Sequence, residues 1–214
     1  MIIPSQESLN IVRNISDNML ENTFHHHYHI LYDIAKTYPK DYQVQYVEIG
    51  AFAGGSACLM LQHSNIKVIS IDLGRPIDPQ IVTQNVEKFN NQNHFYKYIQ
   101  GDSSSPSTKT QLLEYISEID ILFIDGDHSY QAVINDFNLY EDLVKDGGFI
   151  VFDDYHDNQH SPQVKPAVDD LILKIQDRYN IIGVFENKLG ASPLSLLGGN
   201  DFVIQKKDRI FKQN

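Results

Sequence analysis

The chain has 214 residues, 42% of them hydrophobic and 21% charged, which is enough for one α/β domain with a full core and too few for two. Its 28 acidic and 17 basic residues give a formal charge of −11, which excludes the basic footprint that a nucleic-acid partner requires. The single cysteine excludes an internal disulfide, and we find neither a signal-peptide pattern nor an apolar run of about 20 residues, so we expect a cytoplasmic enzyme or binding protein without a membrane partner.

The predicted elements begin with a helical extension over residues 1–40, because "YHILYDIAKTY" spaces its apolar residues by three and four. In the remainder, 41–214, β-branched runs alternate with helical patterns. Strands are predicted at 44–50, 67–72, 94–101, 120–125 and 148–154, and helices at 55–63, 78–89, 107–117, 130–144 and 164–178. This alternation predicts right-handed crossovers and a doubly wound α/β fold with a mainly parallel sheet. The last two strands, near 180–190 and 200–207, are predicted to form an antiparallel hairpin at the sheet edge.

A glycine-containing turn follows the first strand, in "VEIGAFAGGSACLML". Gly50 and Gly54 permit positive φ or a close approach of the backbone to a ligand, and Ser56 stands near a helix N-terminus. A tight β–α turn with an N-cap serine is the structural alternative. Phe52 takes the position where a dinucleotide-binding G-x-G-x-x-G motif has its second glycine, which argues against a nicotinamide cofactor.

Acidic residues follow three predicted strands in succession. Glu48 lies near the end of the first strand, and Asp72 ends the second strand, in "VISIDL". Asp102 and Ser103 follow the third strand, in "IQGDSSS". A carboxylate at such a strand end can accept hydrogen bonds from a ribose diol, although each acid alone can equally be a helix N-cap. Together they favour a nucleoside site along the carboxyl edge of the sheet.

A second acidic group follows the fourth and fifth strands, in "DILFIDGDHSY" and "GFIVFDDYHD". Because adjacent parallel strands end side by side, we expect Asp125, Asp153 and Asp154 to meet at one point. Three carboxylates that close repel one another unless a cation neutralises them, and Mg²⁺ prefers oxygen ligands. The alternative is that these aspartates cap the following helices, which is the interpretation we favour for Asp127.

Histidines near this group are candidates for a general base. His128 follows Asp125 by three residues, and an imidazole pKa near 6.5 suits proton removal at neutral pH. An orienting or merely exposed histidine is the alternative, and His156 and His160 are secondary candidates. In "FHHHYHI", His25 and His29 share a helical spacing, and we assign this cluster to substrate contact instead of metal binding.

The quoted motifs resemble those of class I S-adenosylmethionine (SAM)-dependent methyltransferases over about residues 40–207. They are most similar to metal-dependent O-methyltransferases of the catechol and caffeoyl-CoA type and to relatives that act on macrolide sugars. The resemblance implies a seven-stranded sheet with an antiparallel last strand. It also implies that the Gly50–Ser56 loop holds the methionine part of SAM, that Asp72 binds the ribose, and that Asp102 and Ser103 lie beside adenine. The full set of predicted SAM-binding residues is Glu48, Gly50, Ala51, Phe52, Gly54, Ser56, Asp72, Asp102, Ser103 and Asp125.

The same resemblance implies a Mg²⁺ ion, or another divalent cation, on Asp125, Asp153 and Asp154. The catechol-type enzymes have an Asp-Asn pair after strand five and a lysine base where His128 stands. The Asp-Asp pair found here is closer to the sugar-modifying relatives. We therefore predict methyl transfer to a hydroxyl of a small molecule, a sugar or natural product in preference to a catechol, with Asp125 and His128 as the catalytic residues. A metal-independent methyltransferase, a non-catalytic SAM-binding protein and a homo-oligomeric state are left open.

Overall fold

A computed structural model describes residues 5–21, 28–186 and 200–208. Its centre is a seven-stranded sheet with the order β3-β2-β1-β4-β5-β7-β6. The strands are β1 (Val44–Ile49), β2 (Ile66–Asp72), β3 (Phe95–Gln100), β4 (Ile119–Ile124), β5 (Val144–Phe152), β6 (Tyr179–Glu186) and β7 (Asn200–Lys206). The first five strands pair in parallel, whereas β7 is antiparallel to both β5 and β6. The predicted fold class, including the antiparallel edge, is confirmed.

Helices cover both faces of the sheet. They are α1 (Gln6–Asn18), α2 (His29–Ala35), α3 (Gly55–Met60), α4 (Pro79–Phe89), α5 (Pro106–Leu113), α6 (Tyr130–Tyr140) and α7 (Val164–Ile175). The first four share one hydrophobic core and the last three share another. Strand β4 serves both cores, because Phe123 faces the first and Leu122 the second, and both are fully buried. None of the described helices is both long and apolar enough to cross a membrane.

Several elements differ in length from the sequence prediction. The helices predicted to end at 63, 117, 144 and 178 end at Met60, Leu113, Tyr140 and Ile175. The largest change is at β5, which begins at Val144 instead of 148, since Val144 pairs with Ile119 before a shift in register. Gly147 has a φ of 79°, so the chain bends within the strand. The prediction was based on an unbroken apolar run, and it therefore placed the start of the strand after this bend.

The ends of the central strands determine where the site lies. The amide of Asp125 donates to the carbonyl of Ile49 at 2.8 Å, and the amide of Asp153 donates to the carbonyl of Ile124 at 3.1 Å. The hydrogen-bond ladder thus continues one residue beyond β1, β4 and β5. As a result, the residue after each of these strands lies beside its neighbour at the carboxyl edge, where ligands bind in open α/β sheets.

Candidate active site

A cleft of about 370 Å³ opens at the carboxyl ends of β1, β4 and β5. One wall comes from the turn after β1 and the opposite wall from the aspartates after β4 and β5, and Met19 after α1 and Tyr28 before α2 complete the lining. The lining residues are Met19, Tyr28, Ala51, Phe52, Ala53, Gly55, Ser56, Asp125, Gly126, His128, Asp153 and Asp154. The glycine turn and the predicted metal ligands therefore belong to a single cleft.

The turn after β1 depends on Gly50. Its φ is 87°, and a Cβ atom there would lie 1.8 Å from the carbonyl oxygen of Asp125. No other residue type fits this position without moving β1 away from the end of β4. Phe52 also has a positive φ, 46°, and its ring is 41% exposed at the cleft, so the turn presents an aromatic side chain where a ligand would enter.

Glu48 lies beneath this turn instead of at the rim where the sequence placed it. The side chain is fully buried, and its oxygens accept hydrogen bonds from Tyr46 at 2.8 Å and from Ser56 and Ser70 at 2.6 Å each. Burial raises the pKa of Glu48 to about 7 although the three hydroxyl donors oppose that rise. Contact of Glu48 with a ligand would displace one of these donors, so its place in the structure is that of a support under the turn.

Asp72 braces the turn from the adjacent strand. Its Oδ2 accepts from the backbone amides of Ala51 at 2.8 Å and Phe52 at 3.1 Å, and its Oδ1 accepts from the amide of Gly74 at 2.6 Å. Asp72 itself does not line the cleft. The side chain therefore holds in place the backbone that a ligand would meet.

Asp102 and Ser103 lie further along the sheet edge, outside this cleft. Asp102 is exposed and accepts from both the amide and the hydroxyl of Ser104, which lower its pKa. The carbonyl oxygen of Ser103 accepts from the Tyr140 hydroxyl at 2.8 Å. The structural alternative for Asp102, a helix N-cap, is wrong, because Ser105 is the N-cap of α5. Adenine contact at this position stays a prediction.

The aspartates after β4 and β5 form two groups. Asp125 and Asp153 both accept from the hydroxyl of Tyr28, at 2.7 Å and 3.2 Å. Asp154 has a φ of 55°, and its Oδ2 instead accepts from Ser161 at 2.6 Å. The Tyr28 hydroxyl thus joins two of the three predicted ligands, while Asp154 lines the same cleft and is held by Ser161. Within the described ranges, no group of three or more histidine, cysteine, aspartate or glutamate side chains is arranged to hold a metal ion.

The electrostatics of the pair agree with its geometry. Burial and the neighbouring carboxylate of Asp153 raise the pKa of Asp125 well above its ordinary value. Burial and the negative charges of Asp125 and Asp153 also raise the pKa of Tyr28, so the phenol keeps its proton and acts as a donor. Two carboxylates are therefore held close together at the end of the sheet, with a neutral hydroxyl between them.

Tyr28 is the site residue that sequence reasoning missed. Its ring is buried at the start of α2 and packs edge-on against Phe123, with 5.2 Å between the ring centroids. One signal for Tyr28 was present, since it has the helical spacing of the apolar residues in "YHILYDIAKTY". That spacing indicates a buried face, but it does not reveal that the face meets the ends of β4 and β5.

His128 bridges the two groups of aspartates. Its Nε2 lies 3.2 Å from Asp125 Oδ1, and its Nδ1 lies 2.7 Å from Ser161 Oγ and 3.4 Å from Asp154 Oδ2. Of the histidines predicted as candidates, it is the one that lines this cleft.

The other histidines lie elsewhere. His156 contacts Asn200, and His160 contacts Asp157 beside it in the chain. His29 is fully buried, with its Nδ1 3.7 Å from Asp33 Oδ2. His25 lies outside the described residues. Substrate contact by the "FHHHYHI" cluster is thus not evident at His29, whereas Tyr28 in the same segment lines the cleft.

Comparison with known proteins defines the class. Residues 47–155 match a family model described as a methyltransferase domain. An uncharacterized protein of Acanthamoeba polyphaga mimivirus is 42% identical over 191 residues, which covers 82% of this chain and 84% of that protein.

Two solved structures share the fold. An O-methyltransferase from Bacillus cereus in complex with S-adenosylhomocysteine (SAH) has a TM-score of 0.61 at 17% identity, covering 97% of this chain and 94% of its own. A candidate rRNA methylase from Clostridium thermocellum has a TM-score of 0.60 at 13% identity, covering 81% of this chain and 94% of that protein's chain. At these identities the likeness concerns the fold alone. The fold and the cleft define a class I SAM-dependent methyltransferase. The chain belongs to the methyltransferase-domain family whose model it matches.

Proposed function

We propose that this enzyme transfers a methyl group from SAM to a hydroxyl of a small molecule, a sugar or natural product, with the help of a divalent cation such as Mg²⁺. One observation carries the proposal. Asp125, Asp153 and His128 line the same cleft as the glycine turn, so a base and two oxygen ligands face the place where the methyl donor is expected. The net charge of −11 supports a small molecule over a nucleic acid as the acceptor.

The methyl donor would lie against the turn after β1. Ala51, Phe52 and Ser56 line the cleft on that side, and Asp72 holds the turn through two backbone amides. SAM supplies the methyl group on a sulfonium centre. The chain contributes mainly by holding donor and acceptor in line, an effect that can account for much of the rate in two-substrate reactions.

The cation would be held by Asp125 and Asp153. Both present carboxylate oxygens to one point, occupied here by the Tyr28 hydroxyl, and such hard oxygen donors suit Mg²⁺. Asp154 does not fit the same group in this arrangement, because its Oδ2 is committed to Ser161. Mg²⁺ would supply positive charge that lowers the pKa of an acceptor hydroxyl.

The base would be Nε2 of His128. Ser161 has one hydroxyl hydrogen and donates it to Asp154 Oδ2, so the contact between Ser161 Oγ and His128 Nδ1 requires the hydrogen to be on Nδ1. In a neutral imidazole with hydrogen on Nδ1, the lone pair lies on Nε2, which faces Asp125 Oδ1. That contact is then a hydrogen bond donated by a protonated Asp125, which its raised pKa allows. His128 Nε2 would then take the acceptor's proton as the acceptor oxygen forms its bond to the methyl carbon, while the bond between that carbon and the sulfur of SAM breaks and SAH leaves.

One observation favours a second candidate, a metal-independent SAM methyltransferase. The part of the chain that the structure describes contains no ready group of three metal-ligating side chains. In such an enzyme, His128 and the two aspartates would handle the proton alone.

Calorimetry and turnover distinguish these candidates. The full chain is titrated with SAH in Mg²⁺ and in EDTA, and methyl transfer from labelled SAM is measured on a panel of vicinal diols. We expect SAH binding, turnover that EDTA abolishes, and at least about 100-fold less turnover in Asp153→Asn, because a charged carboxylate ligand becomes a neutral amide. The matched control is Asp142→Asn, an equal charge change at an exposed residue that contacts Lys109.

The remaining outcomes separate the alternatives. Absence of SAH binding would contradict the proposal entirely. Turnover that is unaffected by EDTA would establish the metal-independent enzyme. Binding without turnover on any acceptor in the panel would favour a non-catalytic SAM-binding protein.

A further inference from the structure

The hydroxyl of Tyr28 lies where the two carboxylates of the acid pair converge. It is 2.7 Å from Asp125 Oδ2 and 3.2 Å from Asp153 Oδ2. Both distances are within hydrogen-bonding range, yet a phenol has a single hydrogen to share between them. This hydroxyl thus partly offsets the repulsion between the two carboxylates.

A cation and this hydroxyl compete for the same oxygens. A divalent ion on Asp125 and Asp153 would bind the oxygen lone pairs that the Tyr28 hydrogen now uses. Each carboxylate has further lone pairs, but an ion at the point where the two Oδ2 atoms converge would take the place of the Tyr28 hydroxyl. Hydrogen bonds to charged groups are among the stronger ones in proteins, so the competition lowers the apparent affinity for the ion.

The fold keeps the Tyr28 ring in place. The ring packs on Phe123, and every residue of α2 is buried. Helix α2 is joined to the start of α1 through Asp33, which accepts from the amide and hydroxyl of Ser5 and from the hydroxyl of Ser8. The hydroxyl is therefore positioned by two helices and a strand, in contrast to a flexible surface side chain.

We propose that Tyr28 sets the cation affinity of the Asp125–Asp153 pair by occupying the cation's position with its hydroxyl. This inference rests on the proposed function, because it assumes that the pair binds a divalent ion. Tyr28 therefore acts through the two aspartates as a positioning residue. When no ion is bound, its hydroxyl provides their oxygens with a hydrogen-bond donor. Its removal should strengthen binding of the ion, which is the opposite of what structural damage would do.

The test is Mn²⁺ binding, followed through the electron paramagnetic resonance signal of the free ion. The full chain is stripped of metal with a chelator and titrated as wild type, Tyr28→Phe and Tyr32→Phe. Tyr32 is the matched control, since it lies on the same helix and its hydroxyl donates to Glu7, away from the pair. We expect Tyr28→Phe to bind Mn²⁺ about ten-fold more tightly than wild type, as loss of one competing hydrogen bond to a carboxylate implies, and Tyr32→Phe to match wild type.

Two further variants locate the ion and separate the possible failures. Asp125→Asn and Asp153→Asn should each abolish the Mn²⁺ site under study. If they do so while Tyr28→Phe binds no more tightly than wild type, the inference about Tyr28 is overturned and the metal site stands. If neither wild type nor Tyr28→Phe binds Mn²⁺ at these aspartates, both the inference and the metal-dependent function are overturned.

Discussion

A single serine decides which nitrogen of His128 carries the hydrogen. Ser161 donates to Asp154 and must therefore receive from Nδ1, so a neutral His128 would have no hydrogen on Nε2. The same contact explains why Asp154 does not join the other two aspartates. Asp154, a predicted metal ligand, is thus linked through Ser161 to His128, the proposed base.

This arrangement predicts the tautomer of His128. In ¹⁵N-histidine-labelled protein at about pH 8, where ordinary imidazoles are neutral, long-range ¹H–¹⁵N spectra should show the hydrogen on Nδ1. Ser161→Ala leaves Asp154 Oδ2 at 3.4 Å as the remaining acceptor near Nδ1. Loss of the shorter hydrogen bond should move the tautomer ratio about five-fold toward Nε2–H.

Two variants provide the controls for this measurement. Ser161→Thr keeps the hydroxyl and should keep the wild-type ratio, and His128→Ala assigns the signals. A wild-type His128 that carries its hydrogen on Nε2 would show that Ser161 does not orient the ring.

The turn between β1 and α3 packs directly against the backbone that follows β4. The carbonyl of Asp125 occupies the space where a side chain at position 50 would begin. One glycine therefore joins the ligand-binding turn to the acid pair. A displacement of the turn would therefore move the acid pair, and a displacement of the acid pair would move the turn.

Gly50→Ala should consequently be far more destabilising than a change of φ alone explains. The added Cβ would lie 1.8 Å from the Asp125 carbonyl oxygen, and φ is 87°. Gly147→Ala is the matched control, because its φ is 79° but the nearest atom to its Cβ is at an ordinary 3.6 Å. We expect the control to lose about 1–2 kcal/mol of unfolding free energy from backbone strain.

Gly50→Ala should lose at least about 3 kcal/mol, or fail to fold. Urea denaturation followed by circular dichroism measures both changes. Equal losses in the two variants would show that the contact with Asp125 has no energetic weight.

The sequence predicts those parts of the fold and the site that depend on local apolar patterns, and it does not predict those that depend on backbone conformation or on packing between distant elements. Near-continuous apolar runs mark strands covered on both faces, so the sheet was predictable. The proximity of Asp125 and Asp153 follows from adjacent parallel strands. The direction of Asp154 does not, because it depends on a positive φ that an aspartate adopts only occasionally. The role of Tyr28 depends on how α2 packs against β4, which no local pattern encodes.

At the scale of the whole molecule, a buried acid makes stability depend on pH. Folding raises the pKa of Glu48 from 4.5 to about 7, chiefly through burial. Below about pH 4.5 the group is protonated in both states, and its contribution to stability is complete. As the pH rises toward 7, the unfolded chain ionises first, and stability is lost. Above about pH 7 both states are ionised and the loss levels off.

Glu48→Gln should remove this dependence. The unfolding free energy of wild type minus that of the variant should fall by about 3 kcal/mol between pH 4.5 and pH 7 and stay constant above. Urea denaturation at a series of pH values measures the difference, in which the other carboxylates cancel. Glu87→Gln, at an exposed residue of α4, is the control and should track wild type. Parallel curves for wild type and Glu48→Gln would contradict the raised pKa.

The order of the strands has a consequence for how the chain is made. Strand β7 lies between β5 and β6 although it follows both along the chain. While the polypeptide emerges from the ribosome, the edge of β5 has no antiparallel neighbour, and β6 lacks the only strand it pairs with in the described sheet. Translation must therefore deliver β7 before the sheet can close, and until then the nascent chain presents a strand edge of the kind that promotes aggregation.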